Sequence, residues 1–101
     1  MGIISERVLK EFIHKHSDSA AGVLNWRRIV RAADWKSGAD VNSTFPNSDL
    51  VGEKTVFNIA QNRYRLIAYI SFHMQVVYIM QVVSIKAILT HKEYNKGAWK
   101  I

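Results

Sequence analysis

The chain has 101 residues, 49% of them hydrophobic, and no cysteine, so it forms one domain with a modest core and excludes disulfide and thiolate chemistry. Its net charge of +6 is uneven: residues 1–53 carry seven basic and seven acidic side chains, whereas residues 54–101 carry seven basic side chains and Glu93 alone. This asymmetry indicates a polyanionic partner, either nucleic acid or an acidic protein, with a charge that serves only solubility as the alternative.

Nothing in the sequence predicts a membrane span or a secretory leader. The N-terminus lacks an apolar segment with a basic flank, and polar or charged residues interrupt the apolar run over 66–89. We therefore expect a soluble cytoplasmic protein without a membrane partner.

The first third of the chain predicts a short strand followed by two helices. Gly2 to Ile4 is an apolar segment typical of an edge strand, and Ser5 is a suitable N-cap for the first helix. Apolar residues recur every three or four positions in both helices. They are Val8, Leu9, Phe12 and Ile13 in the first helix, and Val23, Trp26, Val30 and Ala33 in the second. Because each helix has one apolar face, we expect both to pack on a sheet, with Trp26 and Trp35 as core residues.

A polar connector separates the helices from the sheet. Residues 36–52 are rich in Ser, Asn, Asp and Gly and contain the single proline, which predicts at most one helical turn, near 38–43. Phe45 is expected to attach this connector to the core.

The alternation that follows predicts a β-hairpin. A strand over 55–60 and a tight turn at Gln61-Asn62 lead into a strand whose even positions, from Tyr64 to Phe72, are apolar and face the core. Arg65 therefore projects from the opposite, outer face of the sheet. Over 77–89 the odd positions form the apolar set, and Lys86 then shares the outer face with Arg65 if the two strands are neighbours.

A hexapeptide is duplicated in the middle of the strand region. Residues 74–79 (MQVVYI) are followed directly by residues 80–85 (MQVVSI), with five identities in six. The 27 residues from Tyr64 to Thr90 lack Gly, Pro, Asn and Asp, and one extended strand of that length would run about 90 Å, far beyond a domain of this size. The chain must turn or bulge near 72–74 or near 78–81, or overhang and exchange strands with a second copy in a homodimer through residues 74–85.

The basic strand region also offers residues for chemistry. Neither a metal-binding motif nor a phosphate-binding glycine loop is present. RNA cleavage without a metal needs a base for the 2′-hydroxyl, a cation for the phosphate and an acid for the leaving 5′-oxygen. A basic outer strand face formed by Arg63, Arg65 and Lys86 supplies these groups together with the segment Thr90 to Tyr94, which includes His91, and a solvated chain end is the alternative interpretation.

Several sequence blocks resemble the HigB toxin family of type II toxin-antitoxin systems, within the RelE-like superfamily. The most specific blocks are Asn62-Arg63-Tyr64-Arg65-Leu66 and Thr90-His91-Lys92-Glu93-Tyr94-Asn95-Lys96. The resemblance implies a single domain over residues 1–101 with an α+β fold, in which two N-terminal helices pack on a small antiparallel sheet. It also implies an endoribonuclease toxin that cleaves mRNA on the ribosome and is neutralised by a cognate HigA-like antitoxin.

The resemblance assigns roles to individual residues. Arg65 matches the phosphate-stabilising arginine, His91 and Lys92 lie where the late catalytic basic residues fall, and Tyr94 matches an aromatic residue that orients a base. We prefer His91 as the general base because its unperturbed pKa suits proton transfer near neutrality. Auxiliary RNA contacts are expected from four residues: Lys54, Asn58, Arg63 and Lys86.

The sequence departs from the family pattern in ways that bear on activity. Gln61 replaces the usual turn glycine, and the hexapeptide duplication lies between Arg65 and His91. A shifted register could therefore separate these two residues. The alternative function is a non-catalytic binding module, an inactivated toxin that still binds RNA or an acidic antitoxin.

Overall fold

Three helices and a five-stranded sheet form residues 1–84, the part of the chain that the computed structural model describes. The elements, in chain order, are β1 (Gly2–Ile4), α1 (Glu6–Lys15), a 3-10 turn (Ser17–Ser19), α2 (Ala20–Ala32), α3 (Gly38–Thr44), β2 (Asp49–Val51), β3 (Lys54–Ile59), β4 (Tyr64–Ser71) and β5 (Val76–Ser84). The strand order is β1-β5-β4-β3-β2, with β1 parallel to β5 and the other neighbours antiparallel. The predicted α+β class is confirmed, with a third helix and a parallel edge strand in addition.

One face of the sheet and all three helices share a single hydrophobic core. Trp26 of α2, Trp35 before α3 and Phe57 of β3 lie at its centre, and each is 2% exposed or less. The Trp26 and Phe57 rings meet edge to face at 5.4 Å, and Phe45 contacts Phe57 in the same way at 5.2 Å. The predictions for both tryptophans and for Phe45 are therefore confirmed.

The first helix begins where the sequence predicts, but Ser5 does not cap it with its side chain. Ser5 has a φ of 71°, in the left-handed region, and its side chain makes no capping hydrogen bond. Instead, its carbonyl accepts the N–H of Val8 at 3.0 Å. An N-cap side chain reaches the N–H groups of the first turn from an extended backbone, so the expected capping geometry is lost here.

The connector over residues 36–52 is more ordered than predicted, because it contains the seven-residue helix α3 and the strand β2. Val41 of α3 is 3% exposed and joins the core. The polar residues that suggested a loop serve this helix: Asp40 accepts the backbone N–H of Lys36 at 2.8 Å, and Thr44 accepts the Trp35 indole N–H at 3.0 Å. Tertiary burial of one apolar side chain thus overrides the local turn preference.

The predicted hairpin is present, with a longer connection than a two-residue turn. Residues 60–63 link β3 to β4, and Ala60, Gln61 and Asn62 all have φ between 55° and 67°. Three consecutive non-glycine residues in the left-handed region constitute local strain. The even positions of β4 face the core as predicted, since Tyr64, Leu66, Ala68 and Ile70 are buried there.

The duplicated segment is accommodated by a turn and a bulge. The chain turns over residues 72–75, one of the two predicted places, and the Gln75 amide donates hydrogen bonds to the carbonyls of Trp35 and Phe72. At the other place, β5 bulges: Ile67 lies opposite Gln81 and Ala68 lies opposite Ile79, so Met80 has no partner on β4.

This bulge overturns the predicted alternation beyond Ile79. The odd positions Val77 and Ile79 face the core as expected, but the next core residue is Val82, and Val83 is only partly buried. The extra residue at the bulge reverses the parity of the strand. The prediction that places Val83 in the apolar set is therefore wrong.

Candidate functional site

Two of the predicted site residues meet on the outer face of the sheet, the face opposite the helices. Asn58 of β3 and Arg65 of β4 are direct partners across the antiparallel ladder, so their side chains project from the same face. On its other side Arg65 lies opposite Val83 of β5. Lys54 has the same parity as Asn58 but lies four residues away along β3, a separation of about 13 Å. Arg65 and Asn58 therefore form the centre of the described site, and Lys54 lies at its far end.

Arg65 is partly buried, and its guanidinium group has a nitrogen donor without an acceptor among the described residues. Its Nη1 atom is inaccessible to solvent and has no hydrogen-bond partner within residues 1–84. A buried N–H donor without an acceptor is costly, and a charged one more so. Such a group is prepared to donate to an anion, and a phosphate oxygen is an acceptor that suits guanidinium geometry.

The surroundings of Arg65 are apolar on one side. Val56 and Ile67 are partners in the same ladder, on the outer face, and they are 3% and 1% exposed. Both lie outside the core that the helices cover. Low polarity next to Arg65 strengthens its interaction with an anion.

Asn58 is held at the end of β3. Its amide nitrogen donates to the carbonyl of Asn47 at 3.3 Å, which connects the strand to the segment after α3. The orientation of this side chain is therefore fixed by the fold, on the side of Arg65 where β2 no longer covers β3.

Arg63 does not lie on the outer strand face with Arg65, where the sequence placed it. It precedes β4, its Nε donates to the Ala60 carbonyl at 3.0 Å, and its Nη1 lies 2.9 Å from an Asp18 carboxylate oxygen. The other Asp18 oxygen accepts the Tyr64 hydroxyl at 2.7 Å. Arg63 thus ties the hairpin to the 3-10 turn, and an RNA contact by this residue stays a prediction.

The contact with Asp18 changes the pKa of the Tyr64 hydroxyl. The hydrogen bond that its hydroxyl donates to Asp18 raises the pKa of Tyr64 above the ordinary value of 10.0, and burial and the Asp18 charge act in the same direction. The ring also meets Phe12 edge to face at 5.0 Å. Asp18 therefore connects the helical layer to the first residues of β4, next to Arg65.

A polar cavity of about 390 Å³ lies between α2 and the hairpin turn. Its lining includes Asp18, Asn25, Trp26, Asn58, Gln61 and Arg63. The backbones approach closely there, since a Cβ on Gly22 would lie 2.8 Å from the Ala60 nitrogen. Sequence reasoning missed Asp18, Asn25 and Gln61, although an isolated glycine within a helical pattern is a signal of close packing.

The remaining predicted residues lie outside the described part of the chain. Lys86, His91, Lys92 and Tyr94 all follow Ser84, where the description ends. Within residues 1–84, no group of three or more His, Cys, Asp or Glu side chains is arranged to hold a metal ion. No helix in the same range is long and apolar enough to cross a membrane.

Comparison with known proteins identifies the family. Residues 19–97 match the family model of the HigB toxin, described as the RelE-like toxic component of a toxin-antitoxin system. The mRNA interferase HigB of Escherichia coli O6:H1 is 27% identical over 99 residues, which cover 95% of this chain and 90% of the relative. The mRNA interferase toxin HigB of Escherichia coli K12 and the mRNA interferase HigB of Shigella flexneri are each 26% identical over 98 residues, covering 94% of this chain and 88% of the relative. Because the family match spans most of the chain and includes the Arg65 strand, this protein belongs to the HigB toxin family.

Proposed function

We propose that this protein is an endoribonuclease that cleaves mRNA and thereby arrests translation. The observation that carries the proposal is the Arg65 guanidinium, whose buried Nη1 has no partner among the described residues; Arg65 itself lies opposite Asn58 on the outer face. Family membership and the names of the relatives, which are mRNA interferases, support the same substrate.

In the proposed reaction, a base removes the proton of a ribose 2′-hydroxyl, and the 2′-oxygen attacks the adjacent phosphorus. The bond from phosphorus to the 5′-oxygen breaks, and an acid protonates this leaving oxygen, giving a 2′,3′-cyclic phosphate and a 5′-hydroxyl end. Arg65 stabilises the charge on the phosphate oxygens, where a preorganised donor has its largest effect. His91 serves as the base, Lys92 adds positive charge and Tyr94 stacks on a nucleobase.

The cellular setting forms part of the proposal. The protein acts in the cytoplasm on mRNA bound to the ribosome, and a cognate HigA-like antitoxin neutralises it. The positive charge concentrated in residues 54–101 supports both partners, because RNA and an acidic protein surface are each attracted by it.

Primer extension on mRNA from cells that express the protein tests this proposal. We expect cuts at codon positions, lost in Arg65→Ala and in His91→Ala, with a loss of at least about 100-fold for the arginine. Arg7→Ala is the matched control, since Arg7 is an exposed arginine of α1 in a surface pair with Glu11. Cuts that persist in both site variants would refute the assignment of the site.

A non-catalytic binding module is the second candidate, and one observation favours it. Val83, from the second hexapeptide copy, occupies the position opposite Arg65, which leaves His91 eight residues further along the chain. If β5 keeps this register, with Val83 opposite Arg65, the protein binds RNA or antitoxin without cleaving RNA. Antitoxin binding without any mRNA cuts would establish this alternative.

The duplicated segment also raises the question of a homodimer by strand exchange through residues 74–85. Up to Ser84, the last described residue, a single chain accommodates the duplicated segment by means of the turn at 72–75 and the bulge at Met80. Light scattering on the protein and on a variant without residues 80–85 decides the matter. Strand exchange predicts a dimer that becomes a monomer on deletion, and equal monomeric masses would exclude it.

A further inference from the structure

The two hexapeptide copies occupy different environments within one strand. Val76, Val77 and Tyr78 of the first copy lie between β1 and the end of β4, opposite Gly2, Ile3 and Ile4. The second copy begins with the bulged residue Met80 and continues along the start of β4 up to Ser84. The copies differ at one position only, which is Tyr78 in the first and Ser84 in the second.

We propose that β5 has a second register, displaced by six residues, in which the second copy takes the place of the first. Val82, Val83 and Ser84 then lie opposite β1, where Val76, Val77 and Tyr78 now lie. Each place on the strand is then taken by the equivalent residue of the other copy, and Val82, Val83 and Ser84 change face, because the bulge that precedes them in the described register follows them in the displaced one. The fully buried Val77 is replaced by another valine, so the core loses no volume at that position.

The turn before β5 tolerates the displacement. Gln75 donates to the carbonyls of Trp35 and Phe72, and in the second register Gln81 stands at the same place in the repeat and offers the same amide. The loop lengthens by six residues, and loop closure becomes less favourable only slowly with length. The bulge is also matched by the sequence, because Lys86 follows the second copy where Met80 follows the first and Ile88 stands where Val82 stood.

One contact biases the strand towards the described register. Tyr69 and Tyr78 are partners across β4 and β5, and their ring centroids lie 6.0 Å apart. In the displaced register Ser84 stands opposite Tyr69, and this aromatic contact is lost. The single difference between the copies therefore favours the described register.

The register matters for the candidate site, a consequence that rests on the proposed function. Arg65 now lies opposite Val83, eight residues before His91. After the displacement the residue opposite Arg65 is residue 89, two before His91, and the chain has advanced by about 20 Å along the strand. In the displaced register, His91 and Lys92 thus follow the residue opposite Arg65 by two and three positions. This register is the catalytically competent one.

Engineered disulfides test the register without reference to activity, because the chain has no cysteine. Ile4→Cys with Tyr78→Cys reports the described register, in which these two residues are partners. Ile4→Cys with Ser84→Cys reports the displaced register, since in the described one Ser84 lies six residues, about 20 Å, beyond the partner of Ile4 and far outside disulfide reach. Ile4→Cys with Gln81→Cys is the matched control, because Gln81 lies three residues from the partner of Ile4 in both registers.

We expect the pair with Ser84→Cys to form an intramolecular disulfide in glutathione buffer at least about tenfold faster than the pair with Gln81→Cys, as its effective concentration is higher. Adding Tyr78→Ser, which removes the contact between Tyr69 and Tyr78 that favours the described register, should raise this rate further. An equal rate for the two pairs, or a disulfide that joins only two separate chains on a non-reducing gel, would overturn the proposal. Circular dichroism of each reduced variant confirms that it is folded.

Activity then separates this inference from the proposed function. In the displaced register, Ser84→Tyr places a tyrosine opposite Tyr69. In the described register, it leaves the contact between Tyr69 and Tyr78 intact. We expect both Tyr78→Ser and Ser84→Tyr to increase mRNA cutting severalfold. If the Ile4→Cys/Ser84→Cys disulfide forms but mRNA is not cut, the second register is upheld and the endoribonuclease is refuted. If mRNA is cut but this disulfide does not form, the endoribonuclease is upheld and the second register is refuted.

Discussion

Replacing Gly22 with alanine tests the close contact between α2 and the hairpin turn. A Cβ at this position would lie 2.8 Å from the Ala60 nitrogen and 3.0 Å from both the Ala60 Cα and the Ile59 Cγ2. Two of these three atoms belong to the backbone, and Ala60 already has a φ of 55°. The turn cannot move away from the new methyl group by rotating a side chain, so α2 and the hairpin must separate.

The expected magnitude follows from two opposing effects. Overpacking of this kind costs about 1–3 kcal/mol, and the removal of a glycine from a helix returns up to about 1 kcal/mol. Taking the middle of the overpacking range, about 2 kcal/mol, the net loss of unfolding free energy is about 1–2 kcal/mol. For a domain of this size, that loss lowers Tm by roughly 5–15 °C.

Thermal unfolding followed by circular dichroism measures the effect, and Gly38→Ala is the matched control. A Cβ on Gly38 would meet nothing within 4 Å, and Gly38, like Gly22, lies in the first turn of a helix. We expect Gly38→Ala to leave Tm unchanged or to raise it. If Gly22→Ala were as stable as Gly38→Ala, the contact would not constrain the turn, and the cavity beside it would not have a fixed shape.

Two further predictions concern the sheet. Because the bond to Asp18 raises the pKa of Tyr64 above 10.0, folding favours the protonated phenol. This contribution to stability is complete below the unfolded pKa and is lost as pH rises through the folded one, so urea unfolding between about pH 8 and pH 11 should show a steeper fall for the native chain than for Tyr64→Phe. The bulge predicts that Val82→Ala lowers the unfolding free energy by about 1–3 kcal/mol and Val83→Ala by clearly less, also measured in urea. Equal losses would show that the parity of β5 does not reverse at Met80.

Much of the fold could be predicted because it depends on local periodicity. The spacing of apolar residues identified α1 and α2, and the alternation in β4 correctly placed Leu66 in the core and Arg65 on the outer face. These patterns arise from burial on one face of a regular element, which the sequence records directly. The same reasoning failed in β5, because two copies with five identities in six give no information on which copy pairs with which part of β4.

The candidate site was less predictable, since its contacts join residues far apart in sequence. Arg63 and Arg65 have the same parity, so alternation assigned them to one face, but β4 begins only at Tyr64. The preceding turn, with its three left-handed residues, directs Arg63 to Asp18, 45 residues earlier in the chain. No local pattern encodes that ion pair. The individual roles of His91, Lys92 and Tyr94 come from the family resemblance, and these residues lie outside the described part of the chain.

The alternation along β4 has a consequence for genetic selection of escape from toxicity. Leu66 is fully buried, and its neighbour Arg65 lies on the outer face. Substitutions at these adjacent codons therefore affect stability at Leu66 and activity at Arg65. Escape mutations at Leu66 should remove the protein from the soluble fraction, whereas those at Arg65 should leave its abundance unchanged. An immunoblot of the survivors would therefore sort inactive alleles into unfolded and chemically inert classes, codon by codon.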